Sequence, residues 1–246
     1  MAKNTGQKFL IDTKYENLSV PAQKEGAAQP PLELPAPEGS AMIELPEAKC
    51  AGIGQVNLGE LIEKRKSLRK YTDVPLSLEE FSCLLWGTQG VKMVSSRPVT
   101  IRTVPSAGAR HPFETYILVN RVEGLDPGLY RYMALDHTLA RLPEYENINA
   151  DLTEACLQQS HVQTSAVTFV WVAVPERTAW RYSERAYRYI FLDAGHVCQN
   201  LYLLAEAMDC GVCAIAAYDD DLANQAIGID GQEQFVIYIA SLGKRI

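Results

Sequence analysis

The sequence predicts an α+β fold built on a mostly antiparallel sheet, and three observations carry that reading. Ala166 to Val174 (AVTFVWVAV) is a continuous apolar run of strand length stopped by Pro175, the pattern of a central strand buried on both faces. Tyr189 to Met208 keeps apolar residues at helical spacing over a long stretch, so a helix packs beside that strand. Helical and strand-like segments then follow one another in irregular mixture rather than in the strict alternation of a parallel sheet.

Taken in order, residues 1 to about 55 read as an extended arm. Pro21, Pro30, Pro31, Pro35, Pro37 and Pro46 fall within it, and that density propagates neither a helix nor a central strand. Its apolar Met42, Ile43 and Leu45 can dock on a neighbouring surface, because proline-rich chain loses little entropy on ordering. The folded body, residues 56–246, opens at Asn57, an N-cap for the helix LGELIEKRKS with Leu58, Leu61 and Ile62 on one face. Ser77 with Glu80 three residues on predicts a capping box and a second helix through Leu84, Leu85 and Trp86, ending near Gly87 or Gly90.

A loop punctuated by glycine and proline follows, with Lys92 to Thr100 inside it. Thr115 to Val119 reads as a buried strand, and Gly128 to Leu142 as a hairpin turning at Asp136-His137. In the long helix, Val197, Leu201, Leu204, Ala205 and Met208 mark one apolar side. Ala194, Gly195, Cys198 and Tyr202 are read as a second, small apolar side, which predicts burial in a core or across a subunit interface. Val212 to Tyr218 and Phe235 to Ser241 complete the strands. Between them, Asp219, Asp220 and Asp221 open a helix, where carboxylates favour the N-terminus rather than mark a metal.

At 246 residues, 47% hydrophobic and 22% charged, the chain has material for a full core. A formal net charge of −7 disfavours nucleic acid and anionic membranes as partners, so any anion site has to be local. No apolar run approaches the ~20 residues of a membrane helix, and the N-terminus lacks a signal-peptide core; the expectation is a cytoplasmic protein. Six cysteines (Cys50, Cys83, Cys156, Cys198, Cys210 and Cys213) are accordingly read as small buried side chains and not as a disulfide framework. Cys210 and Cys213 form a CxxC without a second pair or a nearby histidine, which points to packing rather than zinc.

The chemistry concentrates in Arg65-Lys66-Ser67-Leu68-Arg69. In an extended segment residues two apart share a side, so both guanidiniums and the hydroxyl reach one anion; on a helix only Arg65 and Arg69 align. The alternative is a solvated basic face. Pro105-Ser106-Ala107-Gly108 reads alone as a turn. His196 on the long helix reads as an interface histidine, and the tyrosines Tyr130, Tyr132, Tyr182, Tyr187 and Tyr189 as core or interface aromatics with bonded tips.

With these pieces in this order, the chain resembles the nitroreductase-like FMN-dependent family over about residues 56 to 246. The resemblance is carried by Arg65-x-Ser67-x-Arg69, Pro105-Ser106-Ala107-Gly108, Gly128-Leu129-Tyr130-Arg131-Tyr132, Asp193-Ala194-Gly195-His196 with Gln199-Asn200-Leu201, Ala214-Ile215-Ala216-Ala217-Tyr218-Asp219 and Gly243-Lys244-Arg245. Within that family RTVPSAGARHPFE, PGLYRY and ERTAWRYSERAYRYIFLDAGHVCQNLYL are similar to the SagB-type thiazole/oxazole dehydrogenase branch. What the resemblance implies is a nitroreductase-like fold with helices flanking the sheet, FMN at the interface of a homodimer, NAD(P)H as an electron donor, and a small-molecule or peptide substrate.

By the same resemblance Arg65 and Ser67, with Lys66 between them, contact the phosphate. Arg69 lies near flavin N1 and the C2 carbonyl, and a fixed cation there stabilises the reduced ring. Pro105, Ser106, Ala107 and Gly108 match the loop against the ring and ribityl chain, Ala216 and Ala217 the backbone facing N5, and Lys244 and Arg245 a basic pair near the phosphate. Arg181-Tyr182 occupies the place of the Lys-Tyr pair implicated in proton removal by the azoline oxidases. Arginine stays protonated and is a poor general base, which sets azole formation in doubt here. Ala216 also stands where classical nitroreductases often carry glutamate. Two functions follow as expectations: a ping-pong FMN-dependent oxidoreductase acting through N5, or a non-catalytic flavin-binding accessory protein of a peptide-modifying assembly.

Overall fold

The computed structural model describes residues 4–48, 50, 56–97, 99–142 and 147–246. A seven-stranded sheet forms the middle of the molecule, in the order β1-β6-β5-β4-β7-β9-β8, with every neighbouring pair antiparallel. The strands are β1 (Ala41–Glu44), β4 (Phe113–Val119), β5 (Gly128–Met133), β6 (Thr138–Arg141), β7 (Val167–Ala173), β8 (Cys210–Ile215) and β9 (Phe235–Lys244). The apolar run at 166–174 is β7, at the centre and buried at every position, as its composition requires.

Alternation along β7 sends Phe169 and Trp171 to one face and Val170 and Val172 to the other. The first face packs on α3 (Leu78–Gln89) and α7 (Ala186–Ala207) through Leu84, Leu85, Ile190, Val197 and Leu201. The second packs on α4 (Ile148–Ala155), the short α5 (Ser160–Gln163) and α8 (Asp220–Ala226) through Leu152, Val162, Ala223 and the adjoining Ile227.

The capping box of α3 is present: Ser77 Oγ accepts the Glu80 N–H at 3.1 Å and Glu80 returns an oxygen to the Ser77 N–H at 3.0 Å. The helix runs through Gly87 to its C-cap Gly90, and Leu204 packs where a side chain at Gly87 would stand. Asp219 caps α8 through the Leu222 N–H. The hairpin β5-β6 turns at His137, whose φ is +53°.

Several expectations are corrected. The arm is not extended throughout, since Thr5–Asp12 forms α1 and β1 adds to the sheet edge beside β6. Buried arginines hold its proline-rich part by the carbonyls: Arg177 Nε donates to Pro31 O at 2.9 Å and Arg131 to Leu34 O at 2.7 Å and Pro35 O at 2.6 Å. Proline has no N–H to place in a ladder but keeps its carbonyl, so donor side chains are the partners it can use.

Cys50 and Cys83 form a disulfide, against the all-thiol reading; their Cα atoms are 5.4 Å apart, within bridging range. That bond sits poorly with a strongly reducing compartment. The other four cysteines are buried thiols. The loop before Thr103 holds a two-stranded hairpin, β2 (Val91–Val94) with β3 (Thr100–Arg102).

The long helix begins at Ala186, not Tyr189. Its small residues do not form a second side: Ala194, Cys198 and Tyr202 lie on the same buried stripe as Val197, Leu201 and Ala205. The outward stripe is Phe191, Leu192, Gly195, His196 and Gln199. Spacings of three, four and seven put 194, 197, 198, 201 and 205 within one face, which explains the misreading.

Candidate functional site

α2 (Leu58–Lys64), capped by Asn57, ends because Arg65 adopts extended ψ of 121°. Beyond it the chain lies beside β8: the Leu68 N–H donates to Val212 O at 2.9 Å and Ser67 bridges Val212 in parallel. Gly211 permits this approach, since a Cβ there would stand 2.6 Å from the Leu68 side chain. The motif is therefore extended, the arrangement in which Arg65, Ser67 and Arg69 share a side.

Ser67 Oγ lies 3.0 Å from the phenol oxygen of Tyr202 on α7, which also accepts the Ala214 N–H at 2.9 Å. The Arg65 guanidinium sits over the Tyr202 ring, 5.2 Å from its centre. Burial raises the pKa of the Cys213 thiol, and the neighbouring positive charge of Arg69 opposes the rise. Burial, with Arg69 second, lowers the pKa of His161, whose Nδ1 is 2.9 Å from Ser241 Oγ. Among the described residues no carboxylate pairs with Arg65 or Arg69. Lys66 is exposed.

Lys244 and Arg245 are not free in this way. Lys244 ion-pairs with Glu80, the capping carboxylate of α3, and Arg245 with Glu206. Arg245 also donates to Cys210 O at 2.9 Å. Their charge is already answered by protein carboxylates.

The second part of the site is the turn at Pro105–Gly108. Ser106 Oγ donates to Asp193 Oδ2 at 2.6 Å, the Ala107 N–H donates to the same oxygen at 3.2 Å, and Ser106 accepts the His111 N–H at 2.9 Å. Burial raises the Asp193 pKa, against the pull of those donors. Gly108 has φ of +60°, and a Cβ there would meet the Tyr182 hydroxyl at 2.4 Å, so both conformation and space require glycine. Tyr182 and Arg181 end α6 (Glu176–Tyr182); Tyr182 meets Tyr189 edge-on at 5.0 Å, and the Arg181 guanidinium lies 5.6 Å from the Tyr182 ring centre.

Both parts hang on α7, but nine residues apart. Asp193 holds the glycine turn and Tyr202 holds the arginine motif, roughly 13 Å along the axis. Ala216 and Ala217 lie exposed past the end of β8, where Ala217 O accepts Gln159 Nε2 at 2.9 Å. Sequence reasoning gave no role to Tyr202, Asp193 or Arg110. The readable signal for the first two was a carboxylate and a phenol on the otherwise apolar buried stripe of α7.

An extended arginine-serine-arginine segment, with no carboxylate paired to either guanidinium among the described residues, and a glycine turn are thus both fastened to α7. The chain belongs to the nitroreductase family, whose profile matches residues 62–244 and whose members are generally FMN-dependent oxidoreductases. It is 31% identical over 204 residues to a Methanocaldococcus jannaschii protein named "Putative nitroreductase MJ1384", covering 83% of this chain and 96% of that one. It is 28% identical over 147 residues to the trifolitoxin-processing protein TfxB of Rhizobium leguminosarum bv. trifolii, covering 58% of this chain and 39% of the relative. A solved Anabaena variabilis structure, titled a "putative nitroreductase", superposes with a TM-score of 0.70 at 27% identity, over 85% of this chain and 42% of that one.

Proposed function

We propose that the protein is an FMN-dependent oxidoreductase working by a ping-pong scheme, with NAD(P)H as donor and a small-molecule or peptide acceptor in the same pocket. One observation carries this reading: Arg65, Ser67 and Arg69 lie on an extended segment with neither guanidinium paired to a carboxylate among the described residues. The site fits a flavin phosphate there. Arg65 and Ser67 grip the phosphate and Lys66 adds charge at its edge. Arg69 faces the N1 and C2 carbonyl side of the ring, while Pro105, Ser106, Ala107 and Gly108 pass close to it and Ala216 and Ala217 bound the N5 side. When bound, the flavin supplies the two-electron chemistry. Lys244 and Arg245 are reassigned from the phosphate to fastening the end of β9.

Residues 56–246 form the catalytic body, and the described part of residues 1–55 is a strap upon it. The protein works as a homodimer. Its two-fold face is made by the exposed Phe191 and Leu192 of α7 with Leu58 and Ile62 of α2. The pure protein is expected to be yellow and to release FMN on denaturation, with turnover of NAD(P)H against a quinone or nitroaromatic. Release of FAD, or failure of the apoprotein to bind FMN, overturns the assignment.

Similarity to a trifolitoxin-processing protein favours a second reading within the SagB-type branch, that of an accessory flavoprotein of a peptide-modifying assembly. Retained FMN without NAD(P)H turnover supports it. Azoline oxidation is expected to be weak because Arg181 is a poor base. Thiazole formation unchanged by Arg181→Lys contradicts that expectation.

A further inference from the structure

The contact between Gly108 and Tyr182 draws their neighbours Arg110 and Arg181 to one place, and these two cations have no answering carboxylate among the described residues. Arg110 follows directly on the glycine turn, is 2% exposed, and lies with its guanidinium 5.0 Å from the ring centre of Trp180. Its Nε donates to Arg177 O at 2.9 Å. Arg177, next in the group, is neutralised by the buried Glu114. Arg181 is exposed, with its guanidinium 5.6 Å from the centre of the Tyr182 ring.

A buried guanidinium beside a second cation, without a counter-ion, is costly to keep charged. Burial and the adjacent Arg181 both lower the Arg110 pKa. An anion arriving at this point relieves both terms. The rings of Trp180 and Tyr182 each lie beneath one guanidinium and hold the pair in place.

The geometry points to an oxyanion subsite at Arg110 and Arg181, beside Gly108 and Tyr182, that receives the carboxylate or phosphate-ester group of a substrate. This deepens the oxidoreductase reading, on which the identity of the ligand as substrate rests. It gives Arg181 a binding role in place of the basic one that its position suggests.

Titration calorimetry of the purified protein in saturating FMN, with benzoate, phenyl phosphate and benzamide as probes, tests it. At least one anion is expected to bind ten-fold or more tightly than neutral benzamide, and to weaken as salt is added. Arg181→Gln should abolish that preference and Arg181→Lys keep part of it. The order of benzoate and phenyl phosphate then distinguishes carboxylate from phosphate recognition. Equal binding of all three probes, no binding of either anion, or a preference untouched by Arg181→Gln overturns the subsite. Failure to take up FMN refutes the oxidoreductase reading instead, since the Arg181 dependence is measured without turnover.

Discussion

Arg65 and Arg69 leave one extended segment but meet different neighbours, Arg65 the ring of Tyr202 and Arg69 the thiol of Cys213. If Arg65 grips the phosphate, Arg65→Ala removes a charge-assisted contact of about 2 kcal/mol. FMN binding should weaken tens-fold with little change in flavin potential. Arg69→Ala should instead lower the two-electron potential and keep most of the affinity. Titration of the apoproteins and potentiometry against a reference dye separate the two, and equal effects on both quantities overturn the division.

A third residue sets a pH dependence: burial, then the charge of Arg102, lowers the His111 pKa to about 3. The folded state thus holds His111 neutral, while the unfolded chain takes up a proton near 6.5. The unfolded state binds more protons below that value, so the stability is present above pH 6.5 and is lost as pH falls toward 3. His137 and His161 are lowered in the same sense, whereas the raised Asp193 opposes them in the acid range. Urea unfolding at pH 7 and pH 5 should show the loss, at up to about 1.4 kcal/mol per pH unit for one proton, and His111→Gln should flatten it.

Among the elements, β7 and α3 were legible because each is decided locally. An unbroken apolar run and a Ser-x-x-Glu cap state their structure without reference to anything distant. The arm was not, because its helix and strand depend on partners far along the chain: β1 needs the edge of β6, and Pro31 needs Arg177. The site divides in the same way. Arg65, Ser67, Arg69 and Gly108 are visible as local motifs, but Asp193 and Tyr202 become informative only once α7 brings them against two separate segments. The ion pairs of Lys244 and Arg245 were not readable, because Glu80 and Glu206 reach them only through the fold.

The seam between arm and sheet is where one substitution tells most. Arg177→Ala leaves Glu114 buried without its cation and frees the Pro31 carbonyl, a change expected to cost about 3–5 kcal/mol. Replacing Arg177 and Glu114 together by apolar residues should cost less. Denaturant midpoints of the three proteins check the order, and a single variant no less stable than the double contradicts it.

At the scale of the whole molecule, α7 is the common beam: it backs the sheet, holds both parts of the site and presents Phe191 and Leu192, 58% and 63% exposed, to the outside. Covering that outward stripe with a second copy is the expected use of it. Light scattering at micromolar concentration should give twice the chain mass, and Leu192→Glu should shift it toward the monomer. A monomeric wild type with flavin bound overturns the homodimer.

The bond between Cys50 and Cys83 joins positions 33 residues apart, and α2 and the arginine motif lie inside the ring so closed. A protease that cuts the backbone anywhere within that ring produces two pieces that remain one covalent molecule. The nicked protein would migrate as a single species without a thiol and as two with one, and the fragment carrying Arg65 and Arg69 could not diffuse away from β8 until the bond was reduced.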